Sequence, residues 1–455
     1  MRSLLVLAFA IGTMGCGCSQ VLGLDDVVAV APTPDAMQLP DARVGCLASC
    51  ETNITLACGN TKTECALGCN TTGGAHCAVM APSNGAGLAD LANVVDNSNN
   101  NDGGTSDLMV DTGLIFNTDS GLIQTAVGSV PLRSAGEGVL NGIQFRIISN
   151  TVAVFAFDDL VVTTNGSIRL NGTRAPILLA RHNISIFGEI NADGKLSQAG
   201  PGGGSGASPA AAPTGCAQAS PAGPGGGGAG GGFGTLGGRG GADGGGSIGP
   251  CTLPLQNVLQ GGSGGGLGQA TSLAISFNRF APTDRYNGGG GGGGVQLSAF
   301  ESILLAGSIH ANGGGGSGVA GDAGLPGSGE RGGSGGGSGG GFLIESPLIT
   351  LRANSAAIVT NGGAGGGGGV DAPDGEPGGQ VAPARGGRSP VSSDGGNGGT
   401  GLVLATSGRT SSTAPLTGGG GGGGVGKIEL RAAYPVGLVG VMLSPAPLQS
   451  VLTGQ

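Results

Sequence analysis

Ile184-Ser-Ile-Phe-Gly-Glu-Ile-Asn-Ala-Asp-Gly194 aligns without a gap on Ile303-Leu-Leu-Ala-Gly-Ser-Ile-His-Ala-Asn-Gly313. Within each copy apolar residues alternate with small or polar ones, which is the period of a half-buried β-strand. A looser third copy runs Ile349-Thr-Leu-Arg352 and Ala357-Ile-Val-Thr-Asn-Gly362, and every copy exits through Asp-Gly or Asn-Gly. Each is preceded by another short strand, at 177–180, 295–300 and 342–345, and a strand at 427–431 closes the series. Upstream, strand-like runs occur at 143–148, 152–157 and 167–170. Self-similarity at this range predicts stacked units, each burying its apolar face only when its neighbours cover it. The expected fold class is therefore mainly β, a parallel β-helix or solenoid-like stem over 107–445. An antiparallel sandwich is the competitor, and a gap-free long-range repeat is awkward for it.

Long glycine-rich inserts, at about 199–294, 313–341 and 362–424, separate these strands. Eight of the nine every-third positions in 225–249 are glycine, broken only by Asp243, and 315–339 has the same count with Glu330 as the exception. Three is the period of the polyproline-II helix, in which every third residue lies on one edge and glycine there lets helices approach closely. Ordering glycine costs more backbone entropy than ordering any other residue. Glycine-rich text also produces a period of three by chance. A packed glycine-helix bundle of polyproline or polyglycine-II type and a disordered loop both fit.

The rest of the composition narrows function. There are 106 glycines, no Trp and two Tyr in 455 residues, so large buried side chains are scarce. Charged residues are 10% of the chain, the net charge is −9 and no basic cluster occurs, which argues against a nucleic-acid partner. After residue 12 no run of 18 apolar residues appears, so no mature transmembrane helix is expected.

Arg2, an apolar run from Leu4 to Ile11 and Gly12-Thr13-Met14-Gly15-Cys16 read as a signal peptide over 1–15. The site resembles the lipobox of bacterial lipoproteins, which implies acylation of Cys16 and a membrane held through that lipid. Thr13 departs from the Leu usual there, so cleavage without lipid stays open. Residues 16–45, with Pro32, Pro34 and Pro40, read as a solvated tether. The expected address is a Gram-negative envelope, as an outer-membrane lipoprotein or otherwise a secreted protein.

Six of the ten cysteines follow as Cys46, Cys50, Cys58, Cys65, Cys69 and Cys77, a C-x3-C-x7-C unit written twice. In an exported chain an even, dense set argues for disulfides. The x3 spacing resembles a helical hairpin with Cys46 and Cys50 on one helix face and Cys65 and Cys69 on another. Zinc with His76 is the alternative, without a C-x2-C pair. Cys216 and Cys251 are expected to pair across the first insert. Residues 78–106 read as a polar linker, and 446–455 as a tail. The faintly calcium-loop-like 96–103 within that linker lacks a twelfth-position Glu, since Met109 stands there.

Catalytic signals are sparse. His182 aligns with Glu301 and His310 with Asn191, so they read as turn or surface residues rather than paired ligands. Asp158-Asp159 is an adjacent carboxylate pair, with Arg146, Arg169 and Arg181 as basic neighbours. Neighbours on a strand face opposite ways, so a charge pair at a turn is the reading preferred. No G-x-S-x-G, H-E-x-x-H or Walker motif occurs. The 107–445 region resembles the β-helix stems of secreted bacterial surface proteins, and the glycine arrays are similar in composition to glycine-rich surface proteins of mycobacteria. The expectation is a non-enzymatic structural or adhesive envelope protein, without cofactor or metal, contacting surface polysaccharide or another cell. A β-helix polysaccharide lyase or hydrolase and an ice- or crystal-surface binder are the alternatives.

Overall fold

The computed structural model describes residues 48–71, 74–94, 107–126, 130–246, 249–270, 286–319, 331–388, 393–412 and 416–454. The stretches read as a signal peptide and a tether, Cys16, Cys46 and the calcium-like stretch lie outside them. The chain is mainly β, in parallel and mixed sheets.

The cysteine-rich module is built of strands, which corrects the helical hairpin. β1 (Ser49–Thr52), β2 (Thr55–Cys58) and β3 (Thr61–Glu64) form an antiparallel sheet, and β4 (Cys69–Asn70) pairs with β5 (His76–Cys77). Thr52, Thr55, Thr61 and Thr63 favour extended backbone, and Gly59-Asn60 makes the β2–β3 turn with Gly59 at φ +60°. Disulfides join Cys50 to Cys69 and Cys65 to Cys77, and Cys58 is disulfide-bonded as well.

After α1 (Leu88–Leu91), the chain enters a repeated circuit through three sheets. β6 (Leu108–Val110) and β7 (Gly113–Asn117) open it. Four strands then reverse direction: β8 (Ile123–Thr125), β9 (Pro131–Arg133), β10 (Gly138–Leu140) and β11 (Ile143–Ile147). The circuits proper are β12 (Val152–Phe157), β13 (Leu160–Val162) and β14 (Ser167–Asn171); β15 (Ala175–Ala180), β16 (Asn183–Ile186) and β17 (Glu189–Asn191); then β18 (Gly294–Ala299), β19 (Ser302–Leu305) and β20 (Ser308–His310). β21 (Gly341–Glu345), β22 (Leu348–Leu351) and β23 (Ala357–Val359) make the next, followed by β24 (Lys427–Ala432), β25 (Met442–Ser444) and β26 (Leu448–Val451). The last strand falls in the stretch read as a tail.

Each strand pairs in parallel with its counterpart one circuit away, so the first sheet runs β12-β15-β18-β21-β24-β26, the second β6-β13-β16-β19-β22 and the third β7-β14-β17-β20-β23-β25. The aligned copies are the paired residues themselves: Ile184 sits beside Ile303 and Ile190 beside Ile309. The third copy is looser because its corner, 352–356, is longer than the corners at 187–188 and 306–307. Parallel pairing removes the sandwich. Inward residues of all three sheets form one buried cluster, with Phe155 between Phe116 (5.2 Å) and Phe145 (4.8 Å) at one end. At that end the reversed strands extend the first and third sheets, and buried Arg133 ties them together by donating to the carbonyls of Gly121, Ser134, Gly136, Gly138 and Ile143. Burial pulls its pKa down to about 10.

Most strands of the second and third sheets alternate buried residues with half-exposed or exposed ones, whereas β12, β15, β18 and β21 are buried on both faces. That is why 152–157 reads as a continuous apolar run. The cover on the outer face is the stretch read as a polar linker, whose described part is a strap. Met80 bridges Gly454 beyond the last strand, Ser83 bonds Glu345 on β21, Asn84 bonds Gln296 on β18, and Asp90 pairs with Arg146 on β11. Met80, Leu91 and Val94 are buried against Val154, Ile177 and Leu179. Residues 80–94 thus cross the first sheet from its β26 edge to β11, and the cysteine module lies beside the last circuit, where Gly454 packs on Ala78 and Leu67.

The three glycine-rich inserts all leave the corner between the third and first sheets, at 192–293, 311–340 and 360–426. They are ordered. In 331–340 successive amides point to three different neighbours and each neighbour recurs every third residue. Gly332, Gly335 and Ser338 donate to Gln269, Gly266 and Ser263; Gly333, Gly336 and Gly339 donate to Gly418, Gly421 and Gly424; Ser334, Gly337 and Gly340 donate to Ser317, Gly314 and Ala311, all at 2.7–3.0 Å. Gly228 and Gly231, Gly289 and Gly292, and Gly363 and Gly366 donate into the same segment from three more neighbours. A Cβ at Gly335, Gly336 or Gly337 would lie 1.9, 2.3 or 2.1 Å from a neighbour's carbonyl oxygen. A period of three would free one edge only; 332–340, with six neighbouring segments, has glycines on every edge, Ser334 and Ser338 being the exceptions. At the rim side-chain hydroxyls replace the missing neighbour, as Thr214, Thr406 and Thr410 each accept a backbone N–H at 2.7 Å.

Candidate functional site

The carboxylate pair sits at a corner of the circuit. Asp158 and Asp159 occupy the corner between β12 and β13, and Asp158 is 1% exposed. Its Oδ1 lies 3.0 Å from Arg181 Nε and 3.7 Å from His182 Nε2, while Asp159 accepts the Asn183 amide at 2.7 Å. His182 Nδ1 is 2.8 Å from Glu301, the residue aligned with it one circuit on. Burial alone would lower the His182 pKa, but the Glu301 hydrogen bond and the charges of Glu301, Asp158 and Asp159 raise it to about 9. Burial raises the carboxyl pKa of Asp107 and Asp159 beside it. Arg181 also donates to the carbonyls of Leu91 and Val94, both at 2.7 Å. This buried corner holds the strap. Arg146 is likewise spent on Asp90, and Arg169 stands apart on the third sheet.

The outward face of the third sheet carries the exposed chemistry. Ser167, Glu189 and Ser308 lie in register across β14, β17 and β20, and beside them run Arg169, Asn191 and His310. His310 bridges two carboxylates, with Nδ1 3.0 Å from Asp193 Oδ2 and Nε2 2.9 Å from Glu189 Oε1. Burial opposes the charged imidazole; Asp193 and then Glu189 outweigh it, so the pKa is raised. His310 is therefore a buried residue bonded to two carboxylates rather than a surface one. Glu189 is half-exposed and lies on both a cavity of about 480 Å³ and an adjoining one of about 210 Å³. Thr164, Asn165, Phe187, Ser308 and Ser355 line the larger, Arg169 and Asn191 the smaller, and Ser167 both.

Sequence reasoning passed over Glu189, Asp193 and the two serines. The signal was present in Gly166-Ser-Ile168, Gly188-Glu-Ile190 and Gly307-Ser-Ile309, three copies of one position. Cys216 and Cys251 are disulfide-bonded. No group of three His, Cys, Asp or Glu among the described residues is arranged to hold a metal, and no helix among them is long and apolar enough to cross a membrane. Comparison with protein-family models, with curated proteins and with solved structures returns no match.

Proposed function

We propose that the chain is a non-enzymatic structural or adhesive protein of a bacterial envelope, in which the three-sheet circuit is a parallel β-helix stem and the inserts form a polyglycine-II bundle on its flank. The observation that carries this reading is the glycine network. Described segments of the inserts from three successive circuits hydrogen-bond one another's backbone, a construction suited to rigidity rather than to a moving active site. The lipid on Cys16, the tether and the outer-membrane address belong to the same proposal, resting on the N-terminal sequence. Metabolic labelling with palmitate in a Gram-negative host, for the wild type and Cys16→Ser, tests the anchor; absence of label from the wild type removes it.

The lyase or hydrolase alternative needs an acid and a base free to exchange protons with substrate. Glu189 and Asp193 are instead both bonded to the one imidazole of His310, and Asp158 is closed off by Arg181 and His182. Purified protein is expected to leave polysaccharides intact. Cleavage lost in Glu189→Gln would overturn the non-enzymatic reading.

A further inference from the structure

The geometry points to a groove for an uncharged linear oligosaccharide, running along the stack at the corner between the second and third sheets. This rests on the stem reading and assigns it a ligand.

The floor of the groove is bare backbone. Gly166, Gly188 and Gly307 stack on successive circuits, where a Cβ would lie 2.0 Å from the carbonyl oxygen of Val110, 2.1 Å from that of Gly166 and 2.1 Å from that of Gly188. No side chain can replace them without parting the stack. The next residue of each circuit, Ser167, Glu189 and Ser308, then offers hydroxyl, carboxylate and hydroxyl in register. Adjacent strands are about 4.7–4.9 Å apart, so these groups repeat at that interval along the groove. A chain of hexopyranose units repeats at nearly that length and carries hydroxyls at each step. An extended peptide advances about 3.3–3.4 Å per residue and falls out of step.

The walls suit the same ligand. Thr164, Asn165 and Ser355 supply neutral donors and acceptors, and Phe187 supplies a ring against which sugar C–H groups can lie. Among the described residues Arg169 is the one cation lining either cavity, and Glu189 is already bonded to His310, so no charged polymer is favoured. The larger cavity, at about 480 Å³, falls in the range of small-molecule sites.

Calorimetric titration of the full mature chain with cellohexaose, chitohexaose and mannohexaose tests the groove, using the wild type, Ser167→Trp and Ser308→Trp. Both serines point away from the core, so each Trp fills the groove; circular dichroism matching the wild type establishes that the fold is kept. At least one hexasaccharide is expected to bind, with affinity falling tenfold or more in both variants. No binding by the wild type, or equal binding by folded Trp variants, overturns the groove and leaves the stem reading standing. The recovered sugar separates the two claims: intact sugar supports both, whereas cleaved sugar overturns the non-enzymatic stem while leaving the groove.

Discussion

Ser83 and Glu345 are 262 residues apart and meet through two hydrogen bonds, from the Ser83 amide at 2.9 Å and its hydroxyl at 2.6 Å to the two carboxylate oxygens. Arg431 donates to the same carboxylate and, at 2.7 Å, to the Ser83 hydroxyl, while Gln296 donates to Glu345 at 2.9 Å. Asn84, beside Ser83, bonds Gln296 and the carbonyl of Leu255. One polar node thus joins the strap, the first insert and strands β18, β21 and β24.

Ser83→Ala removes two of these bonds, the one its hydroxyl donates to Glu345 and the one it accepts from Arg431, and leaves the buried carboxylate short of a donor, at an expected cost of about 1–3 kcal/mol. Glu345→Ala, which strands Arg431, is expected to cost about 3–5 kcal/mol. Urea unfolding measures both. Hydrogen exchange is expected to speed up across 80–94 in Ser83→Ala while the amides of β15 and β18 stay protected. Unchanged exchange in the strap would mean that the node does not hold it.

Gly335→Ala places a Cβ 1.9 Å from the Ala229 carbonyl oxygen, whereas Gly249→Ala meets nothing within 4 Å. The first is expected to cost about 1–3 kcal/mol or more through overpacking, and the second to be neutral. Thermal unfolding of the two variants decides the matter, since equal midpoints would contradict the close approach of the Gly335 backbone to Ala229.

His182 gives a pH dependence whose sign follows from its raised pKa. Its ordinary value is 6.5 and the folded value about 9, so its stabilisation is complete below 6.5 and is lost as pH rises toward 9. His310, also raised, adds a loss of the same sign. Urea midpoints for wild type minus His182→Gln are expected to shrink between pH 6.5 and 9; a constant difference would contradict the ion pair.

The Cys216–Cys251 bond fixes the start of the loop whose Leu255 amide donates to Glu429 at 2.8 Å and whose Leu259 packs under the strap. The double Ser variant is expected to lose about 2–4 kcal/mol. Reductant should lower the wild-type unfolding midpoint and act less on the variant.

The three-sheet circuit was legible where burial is one-sided. Ile184, Ile186 and Ile190 alternate with half-exposed residues, and their repeat at Ile303, Leu305 and Ile309 gives the register directly. The strap was hidden because its contacts depend on few apolar residues, Met80, Leu91 and Val94, and on Ser83 and Asn84, which look like turn formers in isolation. Glycine text has no side-chain pattern to betray which rod has six neighbours, so order in 331–340 could not be read from period alone. The groove residues were passed over because Ser167, Glu189 and Ser308 differ in chemistry, and only register makes them one row. In the module the C-x3-C spacing mimicked a helix, and the threonines around Gly59 decided for strands.

The strap also sets how the molecule would bear tension. Because residues 80–94 start beside Gly454 and finish near Arg146 and Arg181, a pull on the chain at residue 48 enters at the last circuit. The load then runs along the flank of the stack in shear, shared among the Glu345 node, the Arg146 pair and the Arg181 clamp. A chain entering straight into β6 would instead be peeled one strand at a time, each bond carrying the whole force alone.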